Sequence, residues 1–157
     1  MKKILCLLLA AVLCCTPLLA APAPVHQVAA KGAILYELNT DTVLLEQDAD
    51  MKLFPASTTK LMTMAVAIEM IDNLDEEVVF DKTAAYADLV IGSSNMGLKD
   101  GEVISIENML YGIAISSANE ATNALAIHLC GSIQAFVEKM NQQAKEWGMN
   151  NTHFMNT

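Results

Sequence analysis

A hydroxyl and an amine stand three residues apart in Phe54-Pro55-Ala56-Ser57-Thr58-Thr59-Lys60, and the apolar run Leu61-Met62-Thr63-Met64-Ala65-Val66-Ala67-Ile68 follows at once. Three residues are nearly one helical turn, so both side chains leave one face of a helix that starts here. A serine hydroxyl attacks a carbonyl only when a base takes its proton. A lysine serves as that base only where apolar surroundings disfavour its ammonium form. Between Lys60 and Glu69 no residue is charged and Thr63 is the one polar side chain, which predicts a helix apolar nearly all round and buried. Its first turn, carrying Ser57, is then the end that opens into a cleft, where free N–H groups favour developing negative charge. The same residues also fit a plain helix start, with Ser57 as N-cap and Lys60 solvated one turn on.

A second polar pair lies in Ile115-Ser116-Ser117-Ala118-Asn119-Glu120-Ala121, a tight connection between two helical patterns. A serine hydroxyl and a carboxamide two residues apart can both point out of such a connection. Ser93-Ser94-Asn95 has the same S-x-N spacing, and either stretch also reads as a polar turn or cap.

The elements that must position these groups follow from periodicity and punctuation. Ala33–Leu38 and Val43–Gln47 read as strands joined by the turn Asn39–Thr42, giving a hairpin, with polar loop from Asp48 to Lys52. The apolar helix runs from about Ser57 to Met70 or Ile71, and Val78–Phe80 is a short strand. Residues 82–104 are mixed, with a turn at Lys99–Gly101. Ser105 caps a helix from Ile106 to about Ile115, Glu120–Cys130 forms the next with Gly131 as its stop, and Ser132 caps a last helix to Trp147. A two-stranded hairpin is marginal by itself, so this one calls for further strands that the sequence does not display.

The chain of 157 residues opens Met1-Lys2-Lys3, runs apolar from Ile4 to about Leu19 and reaches Ala20-Ala21-Pro22-Ala23-Pro24. That order is the layout of a secretory signal peptide over 1–21, with cleavage near 20–23. A retained membrane anchor, or a lipoprotein at Cys14 or Cys15, are the alternatives. Three of the four cysteines, Cys6, Cys14 and Cys15, lie in that leader, so the exported chain keeps only Cys130 and no internal disulfide. Cys130 reads as a small buried apolar residue. All nine basic residues are lysines, against eighteen acidic ones. Such an acidic body argues against nucleic acid and anionic membrane surfaces as partners. His26, His128 and His153 lack the spacing of a ligand set, so no metal is expected, and His128 reads as packing or surface.

S-x-x-K on an apolar helix followed by S-x-N between helices resembles the penicillin-recognising serine acyl-transferases. Within them the chain is similar to the low-molecular-mass penicillin-binding proteins that are D-alanyl-D-alanine carboxypeptidases. The likeness runs through Pro55–Thr63, Gly92–Glu102, Leu110–Ala121 and Thr152–Asn156, nearly all of 30–157. It implies an α/β (α+β) fold of the β-lactamase/transpeptidase type, present in part, as the N-terminal hairpin of an antiparallel sheet plus a mostly helical subdomain over 24–157. It implies Ser57 as nucleophile, Lys60 as general base, Ser117 as proton relay and Asn119 as substrate-binding amide, with Ser93–Asn95 as a decoy. The substrate would be a peptidoglycan stem peptide ending in D-Ala-D-Ala, with β-lactams as covalent inhibitors and no cofactor. The family's third motif, K-T-G, does not occur here in register. Lys82-Thr83-Ala84 lacks the glycine, lies between the first two motifs and reads as a helix start. The expectation is therefore an exported N-terminal part of a longer enzyme, inactive alone, with membrane association open to a segment beyond Thr157. A non-catalytic or sporulation-related paralogue and a serine β-lactamase-like enzyme are the competing readings. The second is disfavoured by Ala118 in place of aspartate and by the absence of an acid in Asn151–Phe154.

Overall fold

The structure, a computed structural model, describes residues 28–157; the expected leader with Cys6, Cys14 and Cys15, and also His26, lie outside the described residues. The described residues fall into two units, one ending at Leu53 and the other spanning Phe54–Thr157.

The first unit is a hairpin. β1 (Ala33–Glu37) pairs antiparallel with β2 (Thr42–Gln47), from Ala33 opposite Gln47 to Glu37 opposite Thr42. The register shifts between Leu35 and Tyr36, whose partners are Leu45 and Val43, so the pairing steps past Leu44. The turn is organised by one side chain. The Glu37 carboxylate accepts from the Asn39 N–H at 3.1 Å, the Asn39 amide at 2.8 Å, the Thr40 N–H at 2.6 Å and the Thr40 hydroxyl. These bonds, led by the Thr40 hydroxyl, hold the Glu37 carboxyl down to about 2.

The second unit is helical with a short ribbon. Its elements are a 3₁₀ turn (Ala56–Thr58), α1 (Thr59–Met70), β3 (Glu77–Val79), α2 (Lys82–Ala85), β4 (Val103–Ser105), α3 (Ile106–Ser116), α4 (Asn119–Cys130) and α5 (Ile133–Glu146). β3 matches the expected strand, whereas β4 has no signal in the sequence pattern. Only three residues long, it is defined by pairing with β3 across a long connection, Val78 opposite Ile104. The ribbon is extended by Phe80 N–H to Glu102 O at 2.8 Å and Gly101 N–H to Phe80 O at 2.9 Å.

α4 is the central helix, because seven consecutive residues, Glu120 to Ala126, are buried. Its alanines keep the surface low, so α1, α2, α3 and α5 all pack on it. Phe136 and Met140 of α5, Ile106, Met109 and Ile113 of α3, and Phe80 complete the core around Leu125. Each such side chain contributes about 1.5–3 kcal/mol on leaving water. Helix ends follow the expected caps. The Ser105 hydroxyl accepts from Asn108 N–H at 3.3 Å, the Ser132 hydroxyl from Ala135 N–H at 3.1 Å, and Gly131 ends α4 at φ 78°. Asp81 caps α2 through Ala84 N–H at 3.0 Å, so Lys82-Thr83-Ala84 is a helix start as expected.

Three expectations are corrected. α1 is not buried all round: Lys60, Met62, Thr63, Val66 and Ala67 are buried, but Leu61 and Ile68 are 67% and 58% exposed. Helices α4 and α5 cover one face of α1, and those two positions lie on the other. The helix also begins differently, with Ser57 inside the 3₁₀ turn, α geometry starting at Thr59 and no side-chain cap at either start. Cys130 is half-buried rather than buried, and burial pushes its thiol up. His128 sits in the last turn of α4 with Nε2 2.9 Å from the Glu76 carboxylate. Among the described residues no helix is long and apolar enough to cross a membrane.

Candidate active site

Pro55, at φ −74°, leads into Ala56, which takes the left-handed conformation at φ 49° without being glycine. Such a residue carries about 1–3 kcal/mol of strain. The bend it makes sets Ser57 in a tight 3₁₀ turn, closed by Thr58 N–H and Oγ1 donating to the Pro55 carbonyl at 3.2 and 2.7 Å. Lys60 follows in the first turn of α1 and is only 6% exposed. At the facing connection, Ser117 ends α3 in a left-handed conformation at φ 52°, and Asn119 opens α4.

Packing α1 and α3 against α4 brings these groups together. Ser117 Oγ donates to Ser57 Oγ at 2.7 Å, and Lys60 Nζ donates to Asn119 Oδ1 at 2.7 Å. The four side chains singled out from the sequence therefore form two long-range pairs, each bridging about sixty positions. The two hydroxyls can exchange donor and acceptor by rotation. Lys60 donates to Asn119, not to Ser57, so the tie between the hydroxyl pair and the amine is their adjacency on one turn.

The amine has an unusual setting. Its hydrogen-bond partner is a neutral carboxamide rather than a carboxylate. Burial disfavours its ammonium form and holds its pKa below the ordinary lysine value of 10.5. The solvated N-cap alternative requires an exposed lysine, so it does not describe this site.

One participant comes from the other S-x-N stretch. Ser93-Ser94-Asn95 reads as a decoy in the sequence, yet its Ser94 carbonyl accepts from Asn119 N–H at 3.0 Å and from Asn119 Nδ2 at 2.9 Å. A main-chain carbonyl has no residue type, so no motif could have announced it. Glu120 is a second participant without a sequence signal. It is fully buried, and its Oε1 accepts from Met96 N–H at 2.7 Å and Gly97 N–H at 3.1 Å.

The chain is similar to known proteins over most of its length. The D-alanyl-D-alanine carboxypeptidase DacF of Bacillus subtilis is 40% identical over 131 residues, covering 81% of this chain and 33% of its own length. The D-alanyl-D-alanine carboxypeptidase DacA of Escherichia coli K12 is 37% identical, covering 83% of this chain and 34% of its own length. Among solved structures, the D-alanyl-D-alanine carboxypeptidase DacD from Francisella tularensis superposes with a TM-score of 0.77 at 35% identity, over 94% of this chain and 35% of that one. The Streptomyces K15 DD-transpeptidase does so with a TM-score of 0.79 at 29% identity, over 85% of this chain and 54% of that one. The chain thus has the penicillin-binding/β-lactamase-like fold in part, and it spans about a third of the length of the curated relatives it matches. The family described as D-alanyl-D-alanine carboxypeptidase, serine peptidase family S11, matches residues 19–157, and to that family this chain belongs.

Proposed function

We propose that the full-length protein is a serine-type D-Ala-D-Ala carboxypeptidase that trims peptidoglycan stem peptides through an acyl-enzyme on Ser57. The observation that carries this reading is the paired arrangement of Ser57 with Ser117 and buried Lys60 with Asn119, each pair at 2.7 Å.

In this reading Ser57 Oγ attacks the carbonyl carbon between the two terminal D-alanines while the neutral Lys60 amine takes its proton. The Ser57 main-chain N–H supplies one donor to the oxyanion. The C–N bond then breaks, and the proton passes through the Ser117 hydroxyl to the departing D-alanine amine. Asn119 holds Lys60 and hydrogen-bonds the peptide backbone. Water hydrolyses the ester, releasing the shortened peptide and regenerating Ser57. A β-lactam presents a strained amide to the same hydroxyl, which makes the enzyme penicillin-sensitive. The protein acts outside the cytoplasm, with residues 1–21 as a signal peptide and 24–157 as the N-terminal part of the catalytic domain. The acidic composition argues against nucleic acid as partner.

The test is covalent labelling of the full-length protein with a fluorescent penicillin, alongside D-alanine release from a D-Ala-D-Ala peptide. Ser57→Ala is expected to abolish both. A penicillin adduct on the Ser57→Ala protein by mass spectrometry would remove Ser57 from the nucleophile role.

A further inference from the structure

The stretch between α2 and β4 has no regular secondary structure around Ser94, yet it supplies the carbonyl that meets Asn119. Its own anchor is the next residue of the same helix. Glu120 Oε1 accepts from both Met96 and Gly97 N–H, at 2.7 and 3.1 Å, while the carboxylate is fully buried. Its other oxygen, Oε2, is buried without a hydrogen-bond partner among the described residues. On stability alone this is a poor arrangement, because a buried carboxylate with an unpartnered oxygen carries a desolvation cost. The Met96 side chain is pressed against α3, where a Cβ added at Gly112 would lie 2.3 Å from the Met96 sulfur. The segment is thus held on two sides, by a carboxylate at its main chain and by a glycine face at its side chain.

The consequence lies in the Asn119 carboxamide. Its oxygen and nitrogen are nearly alike in shape, so packing cannot choose which faces Lys60. The Ser94 carbonyl adds to the choice that the Lys60 donor makes, since it accepts from Nδ2 and leaves Oδ1 for the Lys60 amine. A reversed amide would set its N–H groups against Lys60 and its oxygen against the Ser94 carbonyl. Asn119 and Glu120 are the first two residues of α4, about 100° apart around its axis, so one faces the amine and the other faces the segment.

We propose that Glu120 is a positioning residue, whose carboxylate clamps the Met96–Gly97 main chain so that the Ser94 carbonyl orients the Asn119 carboxamide toward Lys60. The inference rests on the reading of Ser57 as nucleophile and Lys60 as base.

The experiment is a double-mutant cycle in the full-length protein, reading the second-order rate of acylation by a fluorescent penicillin and the unfolding midpoint. Glu120→Ala is expected to slow acylation about tenfold or more at temperatures well below its midpoint. Glu120→Gln keeps an acceptor oxygen and is expected to recover the rate to within about threefold of wild type. In the Asn119→Ala background, Glu120→Ala is expected to change the rate by less than about twofold, while its drop in midpoint persists. If Glu120→Ala does not fold, Glu120→Asp carries the same cycle, since its shorter side chain keeps a carboxyl group but falls short of the two N–H groups. Wild-type acylation by the Glu120 variant used, or an equal loss in both Asn119 backgrounds, would overturn the proposal. A Ser57→Ala control separates the two readings. If it still labels, the nucleophile assignment fails; if it is silent while the Glu120 variant acylates normally, the positioning role alone fails.

Discussion

Replacing Lys60 by arginine keeps a positive charge and removes the capacity to lose a proton at ordinary pH. Lys60 is 6% exposed, the partner of its amine is the Asn119 carboxamide oxygen at 2.7 Å, and burial lowers its pKa. A positioned general base contributes about 10²–10⁴ in rate, or about 3–5 kcal/mol of barrier. Lys60→Arg is therefore expected to slow acylation by that factor, nearly as much as Lys60→Ala. The pH dependence separates a lost base from a misfolded pocket. Wild-type acylation should rise as Lys60 deprotonates, on a limb displaced below the ordinary lysine value of 10.5, and the arginine variant should lack that limb. Stability carries the same signature. Where the folded amine is neutral and the unfolded one still charged, the unfolded state binds more protons, so stability grows with pH. That growth spans the window from the depressed folded pKa up to 10.5, and it is lost as pH falls through the folded pKa. Lys60→Ala should flatten it. The assay is stopped-flow acylation by a fluorescent penicillin across pH, with unfolding midpoints at each pH. Near wild-type acylation by Lys60→Arg would refute the general-base role, leaving Lys60 as a buried structural cation.

Three further outcomes follow from the geometry. Gly131→Ala places a Cβ at φ 78° with nothing within 4 Å, so strain alone should lower stability by about 1–2 kcal/mol in chemical denaturation. Penicillin acylation should be unchanged, and a neutral result in denaturant would contradict the left-handed cap. Asn141 holds the C-terminal segment by donating to Phe154 O and accepting from Phe154 N–H, both at 2.8 Å. Asn141→Ala should cost about 1–3 kcal/mol and speed hydrogen exchange at the Phe154 amide. In the hairpin, Glu37 should titrate near 2 by carboxyl NMR, so its support of the turn is present above the ordinary value of 4.5 and lost as pH falls through about 2. Thr40→Ala removes the largest cause and should move that titration upward.

Much of the site was legible because its parts are local. Ser57 and Lys60 are one turn apart, Ser117 and Asn119 share one interhelical connection, and Ser105, Gly131 and Ser132 mark helix ends through bonds to their own neighbours. Residue type and spacing suffice for such features, and they carried the family as well. What the tertiary structure decided spans long separations or has no side-chain signature. The Ser57–Ser117 and Lys60–Asn119 pairs exist only because α1 and α3 pack on α4. Strand β4 is three residues whose definition comes from β3, more than twenty positions away. Leu61 and Ile68 are apolar by sequence and exposed by packing, since periodicity reports a face but not which neighbour covers it. The Ser94 carbonyl and the two N–H groups held by Glu120 belong to the main chain, identical at every residue, and only the path of the folded backbone gives them a place.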